Sequence, residues 1–268
     1  MQASERNVHS LMNLTGKVAI VTGAAGWLGS AMSRALAEAG ARLVVTSRDA
    51  SQAKAFAASL PGVGHLGLAF SQGDTDSIPA FVATVGEHMG AIDILVNNAY
   101  GGAPADIDSA TADDFDQAYH VGVTGCFLLA RDIAQHLRGR GSGGSIINIG
   151  SMYGVVASYP EAYAGLDINS PPNYHGLKGG LVHLTRHLAV YWARDNIRVN
   201  CISPGPFPKL PAIDKAHPGF IKRLEEKTPL GRMGKPEELK GIVLLLASDA
   251  GSYITGQNIL VDGGWTAW

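Results

Sequence analysis

Short β-branched runs alternate along this chain with longer segments whose apolar residues recur at a helical period. The strand-like runs are 18–21, 43–46, 65–69, 94–96, 145–149, 198–202 and 258–261. Helical patterns cover 28–39, 50–59, 77–88, 112–138, 174–194 and 237–247. That alternation predicts an α/β fold, a parallel sheet with helices on both faces. Val18-Ala19-Ile20-Val21 is apolar without a break, as expected of a strand buried on both sides. No repeat, low-complexity segment or linker divides the pattern, so one domain is expected over 14–268, preceded by a loose tail over 1–13. Two proline-rich stretches, 155–173 and 204–230, follow strands. Ligands of open α/β sheets bind outside the carboxyl ends of strands, which makes both stretches candidate substrate loops.

Composition narrows the function classes. An apolar share of 46% in 268 residues supplies a large core, while 16% charged residues and a net charge of -2 exclude a basic nucleic-acid or membrane-surface footprint. No apolar run approaches the ~20 residues that span a bilayer, and 1–13 holds no apolar h-region. Cys126 and Cys201 sit in apolar stretches and read as buried thiols of a reducing compartment. A cytoplasmic protein is expected. His183 and His187 are four apart on one helical pattern, but no third ligand accompanies them, so no metal is expected.

The first strand runs into Thr22-Gly23-Ala24-Ala25-Gly26-Trp27-Leu28-Gly29 and then a helix. Gly23 permits a tight turn, Gly26 lets a pyrophosphate approach the backbone, and Gly29 lets the helix pack on the strand. The helix N-terminus offers free N–H groups to an anion. Gly23, Ala25, Gly26, Trp27 and Leu28 are therefore candidate dinucleotide-binding residues. Ribose recognition falls about 20 residues further on, at Val45-Thr46-Ser47-Arg48-Asp49. Ser47 replaces the carboxylate that would favour a free 2′-hydroxyl, and Arg48 suits a 2′-phosphate. NADP(H) is favoured, with NAD(H) as the second choice; a solvated Arg48 beside an N-capping Asp49 is the structural alternative.

Tyr174 and Lys178 are four apart in a segment with apolar residues at Leu177, Leu181, Leu184 and Leu188. Positions i and i+4 share a helix face. A nearby ammonium favours a phenolate, so such a phenol serves as general acid or base nearer neutral pH. Ser151 follows the strand-like run 145–149, where its hydroxyl either holds a substrate oxygen or bonds its own turn.

Together these residues resemble the short-chain dehydrogenase/reductase family, over about 14–268. The resemblance is carried by Gly23, Gly26 and Gly29, Asn97-Asn98-Ala99, Ser151, Tyr174-x-x-x-Lys178, Arg198-Val199-Asn200 with Pro204-Gly205, and Thr255-Gly256-Gln257 with Asp262-Gly263-Gly264. It implies a Rossmann-type, doubly wound sheet of seven parallel strands and hydride transfer at a nicotinamide. It further implies that Ser151 binds the substrate oxygen, Tyr174 is acid and base, and Lys178 also holds the nicotinamide ribose. Asn98 and Ala99 would line the adenosine and ribose side, and Pro204, Gly205 and Phe207 the nicotinamide side. The family is usually a homodimer or homotetramer.

Several features depart from the family pattern, the G-x-x-G-x-x-G spacing among them. Tyr100 stands where glycine is usual, Ser71 where an acidic residue meets adenine, and Gly122 where a relay asparagine is expected. The interval from Ser151 to Tyr174 is also long. The extra loop is polar and aromatic. Tyr153 and Asn169 are candidate substrate-binding residues with Ser151 and Tyr174, and Tyr163, Lys209 and His217 could reach hydroxyls or a carboxylate. The Ile168-Asn169-Ser170-Pro171-Pro172 stretch before Tyr174 resembles that of family members acting on sugars, sugar acids or polyols, so the resemblance implies a substrate of that class. Alternatives are a dinucleotide-binding sensor, suggested by Gly122, and an epimerase using its cofactor transiently, suggested by the glycine spacing. The Trp265-Thr266-Ala267-Trp268 ending reads equally as an interface anchor or as core.

Overall fold

Val18–Val21 and Ile94–Asn97, at the middle of the sheet, are buried at every position, as expected of strands that helices cover on both faces. In the computed structural model, which describes residues 5–102, 106–209, 213 and 215–268, the elements run α1 (Val8–Met12), β1 (Val18–Val21), α2 (Trp27–Glu38), β2 (Arg42–Ser47), α3 (Ala50–Ala58), β3 (Leu66–Ala69), α4 (Ile78–Met89) and β4 (Ile94–Asn97). They continue with α5 (Ala112–Tyr119), α6 (Cys126–Gly139), β5 (Gly144–Ile149), α7 (Pro160–Tyr163), α8 (Pro172–Trp192), β6 (Ile197–Pro204), α9 (Phe220–Lys227), α10 (Lys240–Ala247) and β7 (Asn258–Val261). The seven parallel strands lie in the order β3-β2-β1-β4-β5-β6-β7. The direction of winding reverses between β1 and β4, and a crevice opens at such a point.

Period-2 alternation splits the core in two. Ala19, Val21, Leu43 and Val45 pack with Met32 and Leu36 of α2 and Val243 and Leu246 of α10. Val18, Ile20, Val44 and Leu95 face α4, α6 and α8 through Phe81, Val85, Ile133, Leu188 and Trp192. A third cluster lies under the proline-rich stretches, where Met152 and Ala162 meet Phe220, Leu224 and Trp265. These stretches thus carry α7, α9 and a small core of their own. Trp265 belongs to that core at 1% exposure, whereas Trp268 is exposed.

Local chemistry explains where the elements depart from the sequence expectations. Part of the expected loose tail is ordered: Asn7 caps α1 by accepting from the Ser10 N–H at 2.9 Å, and Arg6 pairs with Asp249 at 2.7 Å. Helix α8 begins two residues early, with Pro172 in its first turn, where the missing N–H costs nothing. The single helix expected over 112–138 is interrupted by a π-turn, His120–Gly125. There the backbone presses against the loop after β3: a Cβ on Gly125 would lie 2.2 Å from the Gln72 carbonyl oxygen. Gln72 in turn donates its Nε2–H to the Val121 carbonyl at 2.9 Å. Among the described residues no helix is long and apolar enough to cross a membrane.

Candidate active site

The crevice between β1 and β4 is built by glycine. Gly23 has φ +61°, and a Cβ on Gly29 would lie 2.4 Å from the Gly23 carbonyl oxygen, so the turn and the helix approach both need a bare Cα. Gly26 caps α2 without a side-chain hydrogen bond, which leaves first-turn amides for an anion. Asn98 works from behind. Its Nδ2–H donates to the Thr22 and Gly23 carbonyls at 2.9 and 3.1 Å, while Asn98 and Ala99 N–H groups donate to Thr22 Oγ1. The glycine turn is thereby fixed to the end of β4. Gly23, Ala25, Gly26, Trp27, Leu28, Ser47, Arg48, Asn98 and Ala99 all line one cleft. A cradle that any Cβ would fill, closed by open helix amides, fits a dinucleotide pyrophosphate.

At the far end of the cleft, Ser47 Oγ bonds Gln52 Oε1 at 2.6 Å. Asp49 accepts from the Ser51 and Gln52 N–H groups as the cap of α3. Its carboxyl is held below the ordinary value, first by the Ser51 hydroxyl and then by these amides, so this carboxylate is committed to the helix. Arg48 is exposed and has no partner among the described residues. Phe70, Ser71 and Gln72, which follow β3, also line the cleft; of these the sequence singled out only Ser71. The general rule that strand ends bind ligands was the available signal for the other two.

Tyr174 and Lys178 occupy successive turns of α8, and Ser151 ends the β5 stretch. The Lys178 Nζ lies 5.6 Å from the Tyr174 ring centre and donates to the Ile149 carbonyl at 2.7 Å. Lys178 is 6% exposed and Ser151 5%, so both act from within the protein rather than from its surface. Ser151 Oγ accepts from the Tyr153 N–H at 3.1 Å. The turn bond allowed from sequence is therefore present, yet it uses a lone pair and leaves the O–H to donate. Ser151, Tyr153 and Tyr174 line one cavity, together with Tyr163, Gly205 and Phe207. The two cavities are linked through Trp27, whose indole N–H donates to the Phe207 carbonyl at 2.9 Å.

Several expected contributors lie elsewhere. Asn169 is exposed, donates to Asp106 and does not line the cavity; its neighbour Ile168 packs into the third cluster and turns Asn169 outward. Pro204 is buried in β6, paired with Val261. It aims Gly205 rather than lining the cavity itself. Lys209 lines the dinucleotide cleft, 5.9 Å from the Trp27 ring, and His217 pairs with Asp167 at 3.2 Å. Gly122 is buried in the π-turn, and a Cβ there would lie 2.9 Å from Leu177 Cδ1. Tyr100 was noted in sequence only as a departure. Its ring meets Tyr174 edge-on, and Lys178 Nζ lies 5.7 Å from its centre. Among the described residues no group of three or more His, Cys, Asp or Glu is placed to hold a metal.

Comparison with known proteins agrees with this architecture. The family model described as enoyl-(acyl carrier protein) reductase matches residues 23–266. The chain is 33% identical to D-arabinitol 2-dehydrogenase [ribulose-forming] of Scheffersomyces stipitis, covering all of both chains. It is 34% identical to 2-dehydro-3-deoxy-D-gluconate 5-dehydrogenase of Escherichia coli, covering 96% of this chain and 98% of that one. A crystal structure of a gluconate 5-dehydrogenase from Burkholderia cenocepacia, in complex with NADP and tartrate, superposes with a TM-score of 0.86 at 32% identity, covering 98% of this chain and all of that one. The chain belongs to the short-chain dehydrogenase/reductase family and is a nicotinamide-dependent oxidoreductase.

Proposed function

We propose that this protein interconverts a carbinol and a carbonyl on a small polyhydroxylated substrate, using NADP(H) in preference to NAD(H). The nicotinamide, when bound, supplies or accepts the hydride. Ser151 donates its free O–H to the substrate oxygen and holds it beside Tyr174. The Tyr174 phenol gives that oxygen a proton during reduction and takes one during oxidation. Lys178 favours the phenolate by its charge and stands ready for the nicotinamide ribose. One observation carries this reading: Ser151 and Tyr174 line the same cavity, with the Lys178 ammonium one helical turn behind the phenol.

The names of the relatives support a polyol, sugar or sugar-acid substrate and favour turnover over a sensor or an epimerase. Preference for NADP rests on Arg48, which is unpaired at the ribose end, and on the absence of a free carboxylate beside it. A homodimer or homotetramer in the cytoplasm completes the reading, and light scattering in solution tests the assembly. The decisive experiment is a screen of both cofactors against sugars, sugar acids and polyols, followed by absorbance of the reduced nicotinamide. Oxidation or reduction of any member that is lost in Tyr174→Phe supports the assignment; no turnover with any member overturns it.

A further inference from the structure

Among the described residues, four hydroxyls and no charged side chain line the cavity that holds Tyr174. Ser151, Tyr153, Tyr163 and Tyr174 supply the polar groups, and Met152, Phe207, Phe220 and Leu224 are among its apolar lining. The phenols of Tyr153 and Tyr163 lie 3.2 Å apart. Burial, first, and then the neighbouring Tyr163 raise the Tyr153 phenol above its ordinary value, so it remains a neutral donor and acceptor.

Among the described residues, no Lys, Arg or His is part of the lining of this cavity. Lys178 donates to the Ile149 carbonyl, and Lys209 lies over Trp27 in the dinucleotide cleft. Arg223 donates to the Ala162 and Ala164 carbonyls, and Lys227 lies over the Tyr159 ring, 4.8 Å from its centre. Arg232 pairs with Glu238 at 2.6 Å. His175 stacks on Tyr153 and shares a hydrogen bond with Ser170, while burial lowers its pKa and favours the neutral ring. Positions 103–105, 210–212 and 214, outside the described residues, hold no Lys, Arg or His in the sequence. Pro171 and Pro172 lack N–H groups, and those of Tyr174 and His175 point to the Pro171 carbonyl.

We infer that this cavity takes an uncharged polyol or its ketose and discriminates against an aldonate of the same chain length. The inference rests on the proposed function and deepens it. A carboxylate drawn into the cavity loses water and, apart from the Lys178 ammonium set behind Tyr174 and held on the Ile149 carbonyl, meets no cation among the described lining residues, whereas hydroxyls of a polyol pair with the tyrosine and serine hydroxyls. Sequence identity does not decide between these classes, since the polyol and sugar-acid relatives stand at 33% and 34%.

The test compares five- and six-carbon polyols with the aldonates of matched length, at saturating oxidised cofactor, and measures each aldonate as an inhibitor of polyol oxidation. The expected kcat/KM for the best polyol exceeds that of its matched aldonate by about 100-fold or more, with the aldonate inhibition constant above the polyol KM by a similar factor. A ratio below about tenfold, or an inhibition constant equal to the polyol KM, overturns the inference while leaving the oxidoreductase reading intact. No turnover of polyols, aldonates, or their keto forms overturns both. Pro208→Arg, on the cavity lining, adds the missing cation; it is expected to shift the ratio toward the aldonate, and a ratio moving further toward the polyol counts against the inference.

Discussion

The Tyr100 ring meets the Tyr174 ring edge-on, with centres 5.3 Å apart and planes at 87°. Tyr100 thus braces the phenol from the cofactor side, and Lys178 lies within 6 Å of both rings. An edge-to-face pair is worth about 0.5–1.5 kcal/mol beyond buried area. Tyr100→Ala is therefore expected to lower kcat by roughly twofold to tenfold, and Tyr100→Phe to retain most of it. Steady-state kinetics of both variants check this; a Phe variant as impaired as Ala would assign the effect to the hydroxyl instead.

Tyr174→Phe keeps the ring contact with Tyr100 but deletes the exchangeable proton. Turnover is expected to fall to background while the dissociation constant for the cofactor stays within about threefold of wild type. Calorimetric titration of the cofactor provides the second measurement. Loss of binding would place Tyr174 in the cofactor site rather than at the chemistry.

Arg48→Ala separates the two cofactors. Removing a charge-assisted contact of about 1.5–3 kcal/mol is expected to raise the KM for NADP by about 10- to 100-fold, with little change for NAD. Equal effects on both cofactors would remove Arg48 from 2′-phosphate recognition.

The π-turn makes a prediction about stability. Gly125→Ala sets a methyl 2.2 Å from a backbone carbonyl oxygen, whereas Gly122→Ala meets only the end of the flexible Leu177 side chain at 2.9 Å. Overpacking costs about 1–3 kcal/mol, so Gly125→Ala is expected to lower Tm by several degrees, and by more than Gly122→Ala. Thermal unfolding followed by circular dichroism ranks the two; the reverse order would contradict the packing described.

Burial is the largest influence on the two thiols. Desolvation pushes Cys126 up to about 11, against smaller opposing effects of Lys178 and Gln72, and raises Cys201 as well. Because these folded-state values are raised, both thiols stay protonated and unreactive at pH 8. Iodoacetamide is expected to label neither in native protein and both after unfolding, as read by intact mass. Rapid native labelling would contradict the buried placement.

Much of the architecture was legible in the sequence because it is written in local periodicity. Runs such as Val18–Val21 and the helical spacing through Leu177, Leu181 and Leu188 state burial directly, and the glycine turn at Gly23 reflects steric need. The spacing of Tyr174 and Lys178 reports one helix face, which local geometry fixes. Only the tertiary structure decided which distant residues meet. Lys209 and Asn169 lie in loops whose directions depend on packing of α7 against α9, so one was drawn to the dinucleotide cleft and the other to Asp106. The π-turn arose where a helix pressed on Gln72, a contact between segments far apart in sequence. The neutral lining of the proposed substrate cavity is of the same kind: long-range packing sends Lys178 and Arg223 to carbonyls, Arg232 to a carboxylate, and Lys209 and Lys227 to rings elsewhere.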